Sequence, residues 1–289
     1  MNQAPTESEI LAGSFRKREA LPNRGERRVF ASKRQTSSLR YYLDLTWHLT
    51  QRDFILRYKG SVLGILWVIV IPLMQLMTLV FVFRSVVPLN IDSYPAFVFT
   101  ALLPWTWFSN CLGTSGTLFT GNRDLIRKAN FPPLILILVN TLSNLLLYLA
   151  VLPLVFVTLL IYGHHLAWTL CFLPVLLLFQ IMLITGFSMM IASWNVLYRD
   201  VQQIVGVLLT LLFWITPVFY KSHAVDQRYQ FVFDGNPLTG LIKSYRDIMF
   251  YSSPPEWRPF LFSASASVVI GILGYAVYRH KLHDVIDSL

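Results

Sequence analysis

VLGILWVIVIPLMQLMTLVFVF fills residues 62–83 without one charged side chain. As an α-helix, rising about 1.5 Å per residue, it is long enough to cross the roughly 30 Å hydrocarbon core of a bilayer. Five further apolar runs follow, at residues 94–119, 133–162, 167–195, 202–220 and 259–278. Their lengths predict an all-α integral membrane protein with six transmembrane helices. Pro72 predicts a kink in the first run, Pro104 a break in the second, and Pro217 lies near the end of the fifth.

Composition agrees. Of 289 residues, 55% are hydrophobic and 13% charged, and the mean hydropathy is +0.54. Soluble domains carry about 25% charged residues. The net charge is +9, and residues 1–59 hold 12 of the 24 Lys and Arg against 6 of the 15 Asp and Glu. This excess flanks a membrane run, so it reads as positive-inside topology rather than a nucleic-acid surface. Both termini are then expected in the cytoplasm, as are the loops with Arg123, Arg127 and Lys128 and with Arg199. Cys111 and Cys171 lie inside apolar runs and read as small buried hydrophobes, not a disulfide or metal pair.

Residues 1–38 have no apolar core of a signal peptide and are expected to be a basic cytoplasmic tail, disordered up to about Thr36. Residues 39–59 form an amphipathic pattern with too many charges to span, which predicts an interfacial helix with Trp47 near the headgroups. Asp53 and Arg57, four residues apart, can pair on it.

Two loops carry structure of their own. GNRDLIRKANFPP, residues 121–133, offers Asn122 as a helix cap and Pro132-Pro133 as a stop. The short helix between presents Leu125 and Ile126 among charges, which suits docking into a groove on a partner protein as well as a plain basic loop. In the last long loop, Asn236 and Pro237 begin an amphipathic helix with an apolar stripe of Leu238, Leu241, Ile242, Tyr245, Ile248 and Met249. Lys243 and Asp247 are spaced to pair on its other face. This helix is expected on the outer side of the membrane.

Several function classes drop away. No phosphate-binding Walker loop occurs, and the span interiors hold no Asp, Glu, Lys or Arg of the kind ion-coupled transporters use. The carboxylates are scattered, against metal-dependent or general-base chemistry. Neutral polar groups remain: Asn140 and Asn144 on one helix face, with Gln75, Asn110, Thr114, Ser115 and Gln180. They suit interhelical hydrogen bonds or ligand contact. Trp105, Trp107 and Phe108 suit either an interfacial belt or a route on which sugar C–H faces stack. Ser263, Ser267 and Gly271 form a small-residue ladder for close helix packing.

The order of these features resembles the membrane subunit of ABC-2 type exporters of bacterial surface polysaccharides, the O-antigen, capsule and teichoic acid permeases. The residues carrying it are RYKGSVLGILW at 57–67, Pro72, Leu103-Pro104-Trp105 through Phe108-Ser109-Asn110, the 122–132 loop, Tyr198-Arg199-Asp200-Val201, Thr216-Pro217-Val218, and Asn236-Pro237-Leu238 through Tyr245-Arg246. The resemblance covers residues 39–289 and places the permease domain at 60–289. The basic tail is longer than usual for the family.

The resemblance implies two copies of this chain working with two copies of a separate ABC ATPase, which holds ATP and Mg; this chain binds no cofactor or metal and has no catalytic residue. It implies a coupling helix at Asn122, Arg123, Asp124, Leu125, Ile126, Arg127 and Lys128, and an ATPase contact for residues 39–59. The implied cargo is a polyprenyl-diphosphate-linked polysaccharide leaving across the inner membrane. Arg57, Tyr58 and Lys59 could meet its diphosphate, since Arg and Lys suit phosphate, while Trp105, Trp107 and Phe108 would line its path. Pro237, Leu241, Tyr245 and Arg246 would belong to an outer gate helix. The alternatives are an ABC-2 exporter of another amphiphile, a drug or glycolipid, and a membrane-embedded enzyme of glycan assembly.

Overall fold

The computed structural model describes residues 24–86, 89–128, 131–221 and 226–288, and every element among them is helical. The chain divides into two units, residues 1–45 and 46–289. In the first unit, residues 1–23 of the basic tail lie outside the described residues, and the rest opens helix α1 (Arg24–Tyr58). The helix begins well before the expected Leu39. No Gly or Pro interrupts the chain between Gly25 and Gly60, so nothing local stops it sooner. Gly60, at φ +84°, turns the chain where α1 ends.

The second unit takes in the remainder of α1. A 3-10 turn at Gly64–Leu66 leads into α2 (Trp67–Phe81), with Pro72 inside it, and a π turn at Val82–Val86. Next come α3 (Tyr94–Ser115), the short α4 (Thr117–Gly121) and α5 (Arg123–Ile126), and α6 (Leu134–Ile161). A 3-10 turn at Trp168–Phe172 opens α7 (Leu173–Leu197), and α8 (Val201–Ile215) follows. The chain closes with α9 (Gln230–Asp234), α10 (Pro237–Met249) and α11 (Trp257–Ser288).

Among the described residues, four stretches are long and apolar enough to cross a membrane: Gly64–Val86, Leu134–Ile161, Trp168–Leu197 and Trp257–Ile286. α3 is the central post. It packs against α2, α6, α7, α8 and α10, and Ala96 to Phe99 in its second turn are wholly buried. Pro104 does not break it, contrary to the sequence expectation. The Gln180 amide on α7 donates to the Pro104 carbonyl at 2.8 Å and ties α3 to α7 at that point. The interruption comes instead at Gly116, between α3 and α4.

The fifth apolar run is shorter than expected. α8 stops at Ile215, and Thr216 is extended (φ −82°, ψ 131°) because it precedes Pro217, whose ring excludes the helical conformation from the residue before it. The small-residue ladder of α11 serves two helices: Ser263 and Ser267 are fully buried, Ser263 lies against Gly240 of α10, Gly271 faces the Met182 carbonyl of α7, and the backbones of α7 and α11 meet where Gly274 crosses Gly186. A Cβ on Gly186 would lie 2.6 Å from the Ile270 carbonyl oxygen. Cys111 is buried as expected, whereas Cys171 is exposed; both are free thiols.

Candidate functional site

A cleft of about 490 Å³ opens where α1, the α4–α5 loop, α3 and α6 converge. Arg52, Asp53, Arg57, Thr114, Asn122 and Asn140 bring polar atoms to it, and Leu125 contributes an apolar wall. Its centre is a chain of hydrogen bonds. Arg57 pairs with Asp53 at 3.0 Å, one helical turn away, as the spacing predicts. The same guanidinium donates through Nη1 to Asn144 Oδ1 at 3.0 Å. Asn144 Nδ2 donates to Asn140 Oδ1 at 3.1 Å, and Thr114 Oγ1 donates to that oxygen at 3.1 Å. Asn140 Nδ2 reaches the Cys111 carbonyl at 3.0 Å. Asn140 and Asn144 are buried, so the chain leads from an exposed charge inward between α3 and α6. Of the other two predicted entrance residues, Tyr58 is half-buried against Phe54, and Lys59 is exposed.

The coupling residues divide in two. Arg123, Asp124, Arg127 and Lys128 are exposed and Leu125 is half-buried. Ile126 is buried at 6% exposure in a small core with Phe119, Leu136, Ile137, Met189 and Tyr278. The expectation that Leu125 and Ile126 both face a partner is therefore corrected: a one-turn helix cannot turn adjacent residues the same way, and Ile126 anchors the loop from inside. Asn122 stands at the cap position, yet its side chain donates backward to Leu118 O at 2.9 Å instead of capping α5. Ala129 and Asn130 lie outside the described residues.

Trp105, Trp107 and Phe108 are 6%, 2% and 2% exposed and sit in the main core. Trp107 Nε1 donates to Thr141 O at 3.3 Å and its ring lies 5.3 Å from Tyr148. Trp105 faces Phe213 of α8 at 5.5 Å. Phe108 borders an apolar cleft of about 470 Å³ bounded by α8.

At the opposite end of α3, α10 has the predicted limits. Asn236 Oδ1 accepts from the Leu238 amide at 3.0 Å, with Pro237 as the first helical residue. The helix is sunk rather than laid on a surface, with Leu241, Tyr245 and Arg246 buried. Arg246 Nη2 donates to the carbonyls of Pro217 (3.0 Å) and Val218 (2.9 Å), and its guanidinium lies 3.7 Å from the Phe97 ring centre. Burial lowers the Arg246 pKa to about 10, and it stays cationic at neutral pH. Lys243 pairs with Glu256 at 3.4 Å, and not with Asp247 as its spacing suggested. The Asp247 carboxylate instead accepts from the Glu256 amide at 3.3 Å, a partner far along the chain that no local pattern reveals.

Sequence reasoning passed over one face. On α8, Gln203, Gly206 and Thr210 are all exposed, beside Val207 and Trp214. Their three- and four-residue spacing within an apolar run is the signal that would have found them. Polar and small side chains at this spacing set one face of an otherwise apolar helix apart from the rest.

The ABC-2 type transporter family matches residues 44–250. The chain is 32% identical to the O-antigen export system permease protein RfbA of Myxococcus xanthus, over 89% of this chain and 99% of that one. An RfbA of Klebsiella pneumoniae is 29% identical, over 84% and 93%. The polysialic acid transport protein KpsM of Escherichia coli is 23% identical, over 82% and 93%. With its apolar helices, its charged loop beside a polar cleft and a family match across most of its length, the chain is a multi-pass membrane protein that belongs to the ABC-2 type transporter family.

Proposed function

We propose that this chain is the membrane subunit of an ATP-driven exporter that moves a polyprenyl-diphosphate-linked polysaccharide, of the O-antigen kind, out across the bacterial inner membrane. The names of its relatives support the cargo class. Two copies of the chain form the passage, and two copies of a separate ATPase supply the energy and hold the nucleotide and its magnesium. Six helices cross the membrane, α3 and α8 joining the four long apolar stretches, with both termini in the cytoplasm.

The observation that carries the reading is the cleft in which the Asp53–Arg57–Asn144–Asn140 chain meets the α4–α5 loop. A guanidinium held by one carboxylate and one amide keeps further donors for a phosphate, and guanidinium matches phosphate in charge and shape. Arg57, with Tyr58 and Lys59 beside it, receives the lipid diphosphate. The exposed Arg123, Asp124, Arg127 and Lys128 meet the ATPase around Leu125. The polar stripe of α8 lines the passage between copies; Trp105 and Phe108, which border α8, come to it only when α8 moves away, while Trp107 backs them from its packing against α6. α10, through Pro237, Leu241, Tyr245 and Arg246, closes the outer end.

The test is purification of the chain with its cognate ATPase, followed by nucleotide hydrolysis with and without lipid-linked glycan. Stimulation by the lipid-linked glycan, and none by the free glycan, is expected. Equal stimulation by an unrelated glycolipid or drug would move the cargo to another amphiphile, and glycan turnover without any ATPase would make the chain an enzyme.

A further inference from the structure

The interruption at Gly116 is gripped by side chains from the other side of the fold. Gln202, in the first turn of α8, donates through Nε2 to the Gly113 carbonyl at 2.5 Å and accepts the Gly116 amide through Oε1 at 2.9 Å. Asn195, near the end of α7, donates to the Gly116 carbonyl at 2.8 Å and accepts the Gln202 amide at 2.9 Å. Both backbone groups of Gly116 are thus bound by two side-chain amides, and Asn195 Oδ1 also accepts from the Gln202 backbone N–H. The fit needs glycine: a Cβ there would run into the Gln202 amide oxygen and lie 3.0 Å from Asn195 Cγ. Gly116 immediately precedes α4, whose Phe119 is fully buried and which leads directly to α5.

α8 itself is held at its ends and loosely in between. Val205 is its one buried residue. Its far end is tied where Asn236 Nδ2 donates to Thr216 Oγ1 at 3.0 Å and Arg246 holds the carbonyls of Pro217 and Val218. Behind it lies the apolar cleft of about 470 Å³, walled by Leu209 and Leu212 on α8 and by Leu112, Leu183 and Phe187 opposite. A rod tied to a different element at each end, little buried in between and backed by a void has room to tilt as one piece when either tie moves.

We infer that Gln202 and Asn195 are positioning residues that carry displacement of the α4–α5 loop into α8, which tilts as a rod over the cleft and transmits the movement to α10. The inference rests on the proposed coupling role of α5. No local force links α5 to α8 in sequence; the link is the double amide grip on Gly113 and Gly116. Loss of the grip leaves the ATPase docking surface intact, because Arg123, Asp124, Leu125, Arg127 and Lys128 make no part of it.

The test uses the full complex with its ATPase in liposomes, comparing wild type with Gln202→Leu. Hydrolysis and glycan export are measured together, and a spin label on Leu211→Cys in a Cys171→Ser background reads the separation of α8 between the two copies with and without a non-hydrolysable ATP analogue. The expected result is normal association, continued hydrolysis, loss of the nucleotide-dependent change in separation, and glycan exported per ATP lowered about tenfold. Gln202→Glu, of the same size, keeps the acceptor for Gly116 and loses the donor to Gly113; it should fall between the two and serves if the leucine variant does not assemble. An unchanged separation response, or unchanged export per ATP, in these variants overturns the inference. Failure of the wild-type chain to associate with the ATPase overturns instead the coupling role on which it stands.

Discussion

Arg57 and Arg246 show how the same side chain takes two jobs at the two ends of α3. Arg57 is partly open, paired with Asp53 and leaning on Asn144, and it retains donors for an anion. Arg57→Ala is expected to reduce export severalfold with little change in thermal stability, since a pair this exposed contributes less than about 1 kcal/mol. Export assay and thermal melting of the purified chain check the two halves separately, and an equal loss in both would reassign Arg57 to structure. Arg246 is closed in, with two backbone carbonyls on one nitrogen and an aromatic ring beneath it. Arg246→Met should destabilise the fold by about 2 kcal/mol, because the carbonyls of Pro217 and Val218 lose a charged donor in a dry setting. Thermal melting in detergent reads it, and Arg246→Lys should recover only part of the loss, for an ammonium lacks the guanidinium's planar fork.

Among the elements, the crossing of α7 and α11 depends on glycine more than on any hydrophobic side chain. A Cβ on Gly274 would meet the carbonyl oxygen of Gly186 and lie 2.7 Å from its Cα, both of them backbone atoms that cannot give way. Gly274→Leu is therefore expected to cost about 3 kcal/mol or more and to lower the yield of folded chain; size-exclusion behaviour and melting temperature measure it. The α4–α5 loop behaves differently, since its two central apolar residues are no longer equivalent. Ile126→Asp should destabilise the fold by burying an unpaired carboxylate, while Leu125→Asp should leave the melt unchanged and weaken association with the ATPase. Pull-down and melting on both variants distinguish the two, and matching behaviour would mean the loop docks in another way.

For the whole molecule, the exposed stripe of Gln203, Gly206 and Thr210 sets the test of the passage. Nothing lies within 4 Å of a Cβ built on Gly206, so Gly206→Phe should fold as well as wild type, within about 0.5 kcal/mol. If the stripe faces the second copy or the cargo, the same change cuts export; full export would turn that face to lipid. Much of this architecture was legible in the chain. Residues 62–83 announced a membrane protein, the Asn236-Pro237 start of α10 held to the residue, and Asp53 and Arg57 paired at the spacing that predicts it. Apolar length, capping chemistry and one-turn spacing are local, and a sequence displays them directly. Pro104 misled, because a proline is tolerated inside an apolar helix that neighbouring helices enclose, and Pro104 lies buried among them. Trp105, Trp107 and Phe108 left two readings open, and their burial belongs to the way α6, α7 and α8 close around α3. The inward turn of Ile126, the exchange of Lys243 from Asp247 to Glu256 and the grip of Asn195 and Gln202 on Gly116 had no signal within a helical turn. By itself, then, the sequence determined which segments are apolar helices and where several of them start and stop. Only the tertiary structure decided which polar groups meet, because a buried amide or guanidinium takes its partner from whichever backbone or side chain the packing brings within 3 Å, however distant in the chain.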